Sequence, residues 1–278
     1  MVRFGYDGSG YYGWARQPGA RTVEGEIRAG LRRAGLAPEP QVFPLAVASR
    51  TDRGVSARAN ALALTVDLGG PALLRALNGI SPQLFFSAAT AVAPDFPVRR
   101  AVRRIYRYFE PTSEARADLW AAAGERFQGR IDVRSLGRAL PTGVPCWRDV
   151  ESVAVSAVPG GLVVELRAPS FVWGMVRKII GALRQVEAGR LTLTELDGAL
   201  AGRTRLTLPM AEAEGLVLWE VEYPFAWEVP WSGPNRHQAR FLAQRRASWW
   251  RQQAVIGGLE GLGSLSPPAR RTKGGSVS

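Results

Sequence analysis

Cysteine and histidine are nearly absent from this chain of 278 residues: Cys146 and His237 stand alone. One cysteine cannot close an internal disulfide, which points to a reducing, cytoplasmic setting. Zinc centres need several Cys and His ligands, and two such residues do not supply them. A Ser-His-Asp triad would have to pass through His237, which lies in an arginine-rich tail. No run approaches the roughly 18 consecutive apolar residues of a membrane span. The opening "MVRFGYDGSG" lacks the apolar region of a signal peptide. No Walker loop is found. Chemistry is left to Asp, Glu, Tyr, Arg or Lys, with no cofactor, no metal and no membrane partner expected.

Lysine is also scarce. Of 36 basic residues only Lys178 and Lys273 are lysine, and the net charge is +12. Arginine offers a planar fork that pairs with phosphate and stacks on bases. A GC-rich genome would also favour arginine codons, but it does not explain the excess of charge. A polyanionic partner does, and nucleic acid is the obvious one. Hydrophobic residues make up 46%, enough for a real core, and the length suggests about two domains.

Short strands alternate with single helices, twice over. "VRFGY" reads as a strand, and Thr22 as the N-cap of a helix with Val23, Ile27, Leu31 and Ala34 on one face. Residues 42–48 and 59–67 read as strands, "PALLRALNGI" as a short helix and "LFFSAATAVA" as a strand. A second unit opens with the strand "RRIYRYFE" and a helix started by Ser113. A hairpin at 150–158 and 161–168 follows. Residues 171–188 then carry the clearest helical stripe, from Val172 to Val186. Trp173, Arg177, Gly181 and Arg184 fall on its other face. "EGLVLWEVEYP" closes as a strand. The pattern predicts two α+β units with largely antiparallel sheets, residues 1–104 and 105–231, and a basic tail at 232–278. That tail holds eight Arg/Lys and one acid, Glu260. It reads either as an auxiliary RNA arm or as a packing helix with a solvated end, and its last dozen residues read as disordered.

One short stretch stands out, "ASRTDRGVSA", where Asp52 sits alone between Arg50 and Arg53 in a turn between two strands. In most proteins such an aspartate caps a turn or pairs with a neighbouring arginine. Its functional reading is a carboxylate kept charged by guanidinium groups and available as a nucleophile. Arg177 borders the apolar stripe, where a charge is costly unless paired. On "RRIYRYF", Arg104, Tyr106 and Tyr108 share one face and Ile105, Arg107 and Phe109 the other. A tyrosine there suits base stacking, although core packing is the commoner role.

Four stretches, in order, carry a resemblance: "YDGSGYYGWARQP", "ASRTDRGVSA", "RRIYRYF" and "SFVWGMVRKIIGALRQVEAGRL" with "AEGLVLWEVEYP". Together they cover most of residues 1–225, and the chain resembles the TruA family of tRNA pseudouridine synthases. The variant with Arg53 and Ser56 is similar to the archaeal and eukaryotic branch. The resemblance implies two ferredoxin-like (RRM-like) halves flanking a basic active-site cleft. It implies isomerisation of uridine to pseudouridine in the anticodon stem-loop of tRNA, at positions 38 to 40, without cofactor, by a cytoplasmic homodimer.

Carried over, Asp52 is the nucleophile, Tyr106 stacks on the flipped base and serves proton transfer, and Arg177 pairs with Asp52. Arg50 displaces the target uridine and Leu216 lines the uracil pocket. Arg53, Arg104, Lys178 and Arg184 are further RNA contacts. The segment "FQGRIDVRSLGRALPTGVPCWRDV" departs from the family pattern, as does the tail. Two rivals remain open: a non-catalytic tRNA-binding or folding protein of the same fold, and an unrelated Asp-dependent hydrolase of a small phosphorylated substrate.

Overall fold

A computed structural model describes residues 1–37, 44–111, 117–137, 146–230 and 233–260. The chain divides into two units, Met1–Gly233 and Pro234–Ser278. Six α-helices lie among the described residues, and most strands join one largely antiparallel sheet.

The first unit begins with β1 (Val2–Tyr6), whose Val2, Phe4 and Tyr6 point into the core. Helix α1 (Val23–Arg33) is opened by Thr22, whose hydroxyl accepts from the Gly25 amide, and it buries Val23, Ile27 and Leu31. Two antiparallel strands follow, β2 (Ala46–Val47) and β3 (Ser56–Ala63). Helix α2 (Gly70–Asn78) buries Leu73, Leu74 and Leu77, and β4 (Leu84–Ala89) returns beside β1. The spatial order is β4-β1-β3-β2.

The same sequence of elements recurs. Strand β5 (Arg103–Pro111) leads to α3 (Ala117–Glu125), and a small pair follows, β6 (Gly129–Asp132) with β7 (Trp147–Val150). The hairpin of β8 (Ser152–Val158) and β9 (Gly161–Ala168) comes next, then α4 (Met175–Glu187), α5 (Leu193–Leu200) and β10 (Leu216–Glu222). Here the order is β10-β5-β9-β8. A short edge strand, β11 (Val229–Pro230), pairs with β4.

The two halves meet where β10 runs parallel to β3, with Val217 opposite Ser56 and Leu218 opposite Ala57. Every other strand pair among the described residues is antiparallel. Being parallel, β3 and β10 begin at the same end of the seam. The Asp52 turn, which precedes β3, is thereby brought to the start of β10. One continuous core runs from Met1 to Val221 on the face carrying Phe4, Phe86, Tyr108, Leu166 and Leu218. On strands β5, β9 and β10 the alternate positions hold Arg107 paired with Glu165 at 2.6 Å, its guanidinium 4.0 Å above the Trp219 ring.

Several details differ from the pattern-based reading. The helix expected from residue 171 starts at Met175, because Gly174 adopts a left-handed conformation (φ 81°) as its N-cap. Trp173 therefore lies in the preceding turn and not on a helical face. Gly181 is buried, not outward, since a Cβ there would stand 2.0 Å from the Pro209 carbonyl oxygen. Helix α5 was not anticipated, although Thr192 and Glu195 form a full capping box at its start. Of the expected strand at 42–48 only Ala46–Val47 is strand among the described residues 44–48; residues 38–43 lie outside the described set, as do Ser113 and the last dozen residues. No helix among the described residues is long and apolar enough to cross a membrane.

The second unit contributes α6 (Arg236–Glu260), within the expected basic tail.

Candidate active site

The Asp52 turn is held from below by the Gly-rich opening of the chain. The Trp14 amide donates to the Thr51 carbonyl at 3.0 Å and the Gly54 amide to the Tyr11 carbonyl at 3.3 Å. The Tyr6 hydroxyl lies 2.8 Å from the Thr51 hydroxyl. This approach needs glycine at position 13, where φ is 94° and a Cβ would sit 2.8 Å from the Thr51 oxygen. "DGSGYYGW" thus acts as a bracket for the turn.

Above the turn lies a cavity of about 480 Å³, lined by four arginines and a single carboxylate, Asp52. Arg177, on the first turn of α4, places Nη1 3.6 Å from Asp52 Oδ2, while its Nε donates to the Ala211 carbonyl at 2.6 Å. The indole of Trp173 donates to Asp52 Oδ1 at 2.5 Å. The two carboxylate oxygens therefore face different donors, which sets the plane of the group. The N-terminal end of α4 also lines the cavity, and the positive end of its helix dipole adds positive potential beside the carboxylate.

Tyr106 and Leu216 form the floor, both buried, from the neighbouring strands β5 and β10. The Tyr106 ring meets Phe171 edge-on, with centroids 5.2 Å apart. Burial pushes its phenol up to about 12, against the opposing pull of Arg104 and a hydrogen bond with Ser49. Tyr108 is directed elsewhere, its hydroxyl within 3.3 Å of Glu212 and Arg184. Arg50 is exposed at the rim and has no hydrogen-bond or ion-pair partner among the described residues.

Arg104 also lines the cavity, but it is built into the wall. It is buried, and it donates to Ser49 Oγ at 2.9 Å, to the carbonyls of Ala48 at 3.0 Å and Arg99 at 2.7 Å, and to that of Pro169. Three separate segments are tied by one guanidinium, and desolvation lowers its pKa from the ordinary arginine value. The other proposed RNA contacts divide. Arg53 is exposed, its guanidinium 4.2 Å over the Tyr12 ring. Lys178 donates to the carbonyls of Ser135 and Gly137, both at 3.2 Å. Arg184 binds Glu110 at 2.9 Å and Glu212 at 2.7 Å, and these carboxylates raise its pKa. Neither Lys178 nor Arg184 lines the cavity.

Asp52, Arg177, Tyr106, Leu216 and Arg50 are thus brought together from four segments of the chain. Sequence reasoning missed the roles of Trp173, Ser49 and Phe171. The signal for Trp173 was Gly174: a glycine immediately before a strong helical stripe marks a turn, from which the preceding side chain can reach back to the Asp52 loop.

A family model described as tRNA pseudouridine synthase matches residues 123–224. A protein of Thermococcus kodakarensis named tRNA pseudouridine synthase A is 38% identical over 228 residues, covering 80% of this chain and 84% of its own length. The chain belongs to the tRNA pseudouridine synthase A family. As a family member it is an isomerase. A relative of the same name from Thermococcus gammatolerans is 34% identical over the same shares of the two chains. Another, from Methanothrix thermoacetophila, is 32% identical over 263 residues, covering 93% of this chain and 94% of its own. Among solved structures, one of a Cbf5-Nop10-Gar1 complex is 13% identical with a TM-score of 0.33, covering 66% of this chain and 44% of that chain. A likeness that slight supports no inference.

Proposed function

We propose that the protein converts uridine to pseudouridine in the anticodon stem-loop of tRNA, at positions 38 to 40, with Asp52 as nucleophile. The observation that carries this reading is the meeting of Asp52, Arg177 and Tyr106 in one cavity of about 480 Å³. Family membership supplies the reaction class.

A uridine in a stem is reachable only after flipping, which costs a few kcal/mol. Arg50, exposed at the rim, is placed to fill the space the base leaves. The flipped uracil stacks on Tyr106 and packs on Leu216. Asp52 then bonds covalently to the nucleoside, at C1′ or on the uracil ring. The C1′–N1 bond breaks, uracil turns, and C5 joins C1′. The C5 proton departs, N1 takes up a proton, and the carboxylate is released, so atoms and charge balance. Burial raises the Tyr106 phenol and favours its protonated form at neutral pH. Tyr106 therefore relays a proton, with Ser49 as its partner, and does not act as a free base.

The repeated strand order β4-β1-β3-β2 and β10-β5-β9-β8 supports two ferredoxin-like halves, residues 1–104 and 105–231, with a basic cleft along their seam. Residues 232–278 form a separate basic tail. Arg53 is retained as an RNA contact, whereas Arg104, Lys178 and Arg184 direct their donors at protein acceptors. The protein is read as a cytoplasmic homodimer in which one tRNA touches both subunits.

The test uses unmodified tRNA carrying tritium at C5 of uridine. Joining C5 to C1′ expels that hydrogen, so conversion releases tritium into water. Release by the wild type and none by Asp52→Ala, with tRNA binding retained, is expected. Undiminished release by Asp52→Ala would remove Asp52 from the mechanism. Binding without release by the wild type would favour the tRNA-binding reading.

A further inference from the structure

Helix α6 has properties that the active site does not use. Its start is well defined: Asn235 Oδ1 accepts from the amides of His237 and Gln238, and Gln238 Oε1 accepts from the Asn235 amide, all at 3.0 Å. Between Arg236 and Ile256 it carries Arg236, Arg240, Arg245, Arg246 and Arg251 and no acid. Arg236 and Arg240 are four apart, as close as like charges come on a helix, and such pairs are unfavourable. The first acid on the helix is Glu260. From Trp249 to Ile256 every residue is exposed, so this segment has no buried face. Yet it holds Trp249 at 62% exposure, Trp250 at 66%, Val255 at 61% and Ile256 at 48%. Large wetted indoles on an all-round exposed helix mark a surface that a partner covers.

The chemistry of that partner follows from spacing. Arg245 and Trp249 are four residues apart, as are Arg246 and Trp250, so each guanidinium stands one turn from an indole. Adjacent residues are about 100° apart around the axis, so the two columns diverge. An apolar protein groove would leave these arginines buried without carboxylates. A structured RNA with unpaired bases satisfies both parts, phosphates taking guanidinium and bases stacking on indole. We propose that α6 is a second RNA-binding element, gripping tRNA through the Arg245/Trp249 and Arg246/Trp250 columns. The inference rests on the reading of the protein as a tRNA-modifying enzyme.

The test compares full-length wild type with two variants, Arg245→Gln/Arg246→Gln/Arg251→Gln and Trp249→Ala/Trp250→Ala, neither touching the cavity. Affinity for an unmodified tRNA transcript is measured between 50 and 200 mM salt, alongside pseudouridine formation at saturating tRNA. Each neutralised phosphate contributes roughly 0.7 to 0.9 to the slope of log affinity against log salt. The arginine variant is expected to flatten that slope by about 2 to 3. The tryptophan variant should bind about tenfold more weakly or worse with the slope unchanged. Maximal turnover should match wild type in both. Wild-type affinity and slope in both variants would overturn the proposal. So would unchanged affinity with an altered oligomeric mass, since the helix would then pack on a second copy. If the wild type converts no uridine yet the variants bind tRNA as expected, the reading of the cavity fails and the helix assignment stands.

Discussion

Replacing Arg104 by methionine should loosen the whole active-site wall. Methionine keeps much of the buried stem but removes four hydrogen bonds, to Ser49 Oγ and to the carbonyls of Ala48, Arg99 and Pro169. Hydrogen bonds from a charged donor are worth about 1.5–3 kcal/mol each, so the gross loss is roughly 6–12 kcal/mol. Against this, burying a guanidinium with no carboxylate beside it costs several kcal/mol, and the open cavity lets water reach some of the orphaned carbonyls. The net destabilisation is about 3–5 kcal/mol, or roughly 6–20 °C in Tm for a unit of this size. Urea titration of the variant and wild type reads this directly as a fall in midpoint at constant slope. Arg104→Lys should fall between the two, because an ammonium has three donors in place of five. Turnover should also fall at temperatures where the variant is folded, since Ala48 and Pro169 precede the Asp52 turn and the Trp173 turn. A loss below about 1 kcal/mol would refute the claim that this one side chain holds the three segments together.

Three more outcomes are expected. Gly13→Ala should leave conversion undetectable and lower Tm, because the new Cβ meets the Thr51 oxygen at 2.8 Å with φ at 94°; a variant of normal Tm and turnover would show that the turn is not bracketed from there. Trp173→Phe keeps an aromatic ring but loses the donor to Asp52 Oδ1, so single-turnover conversion should slow about tenfold with KM unchanged, whereas Trp173→Gln, which keeps an N–H, should recover part of the rate; equal rates would show that the indole does not orient the carboxylate. Stability should decline as pH rises from about 10, the value for an unfolded tyrosine, towards about 12. Burial raises Tyr106, Tyr108 and Tyr223 to about 12 and also lifts Tyr6 and Tyr11, so the unfolded chain loses its phenolic protons first and gains from alkali. Thermal unfolding across that range checks the sign, and a flat profile would contradict it.

Local signals carried further than long-range ones. Alternation along β5 was readable because its two faces differ so sharply, Tyr106 and Tyr108 against Arg107 and Phe109. The α4 stripe was equally legible, and it put Arg177 at the edge of the apolar face, where the Asp52 carboxylate meets it. Periodicity does not say where a helix starts, however, and Gly174 offers no side-chain cap, so Trp173 was misplaced onto a helical face. Gly181 reads as outward by its angle alone; only the fold reveals Pro209 pressed against it. The seam is the least legible feature. Pairing of β3 with β10 joins segments some 160 residues apart in sequence, and no window of pattern contains both. The same holds for Arg104 and Arg184, carried over as RNA contacts: Arg104 meets Ser49, Ala48 and Pro169 from 55 to 65 residues away, and Arg184 meets Glu110 and Glu212.

Asp52 is proposed to isomerise uridine in the anticodon arm. The most direct measurement maps pseudouridine at nucleotide resolution on unmodified tRNA after incubation with the wild type and with Asp52→Asn. The account predicts modification at discrete positions among 38 to 40 with the wild type and none with the variant, which keeps the shape of the side chain and loses its charge. Modification of equal extent by Asp52→Asn, or wild-type modification confined to other parts of the tRNA, would contradict it.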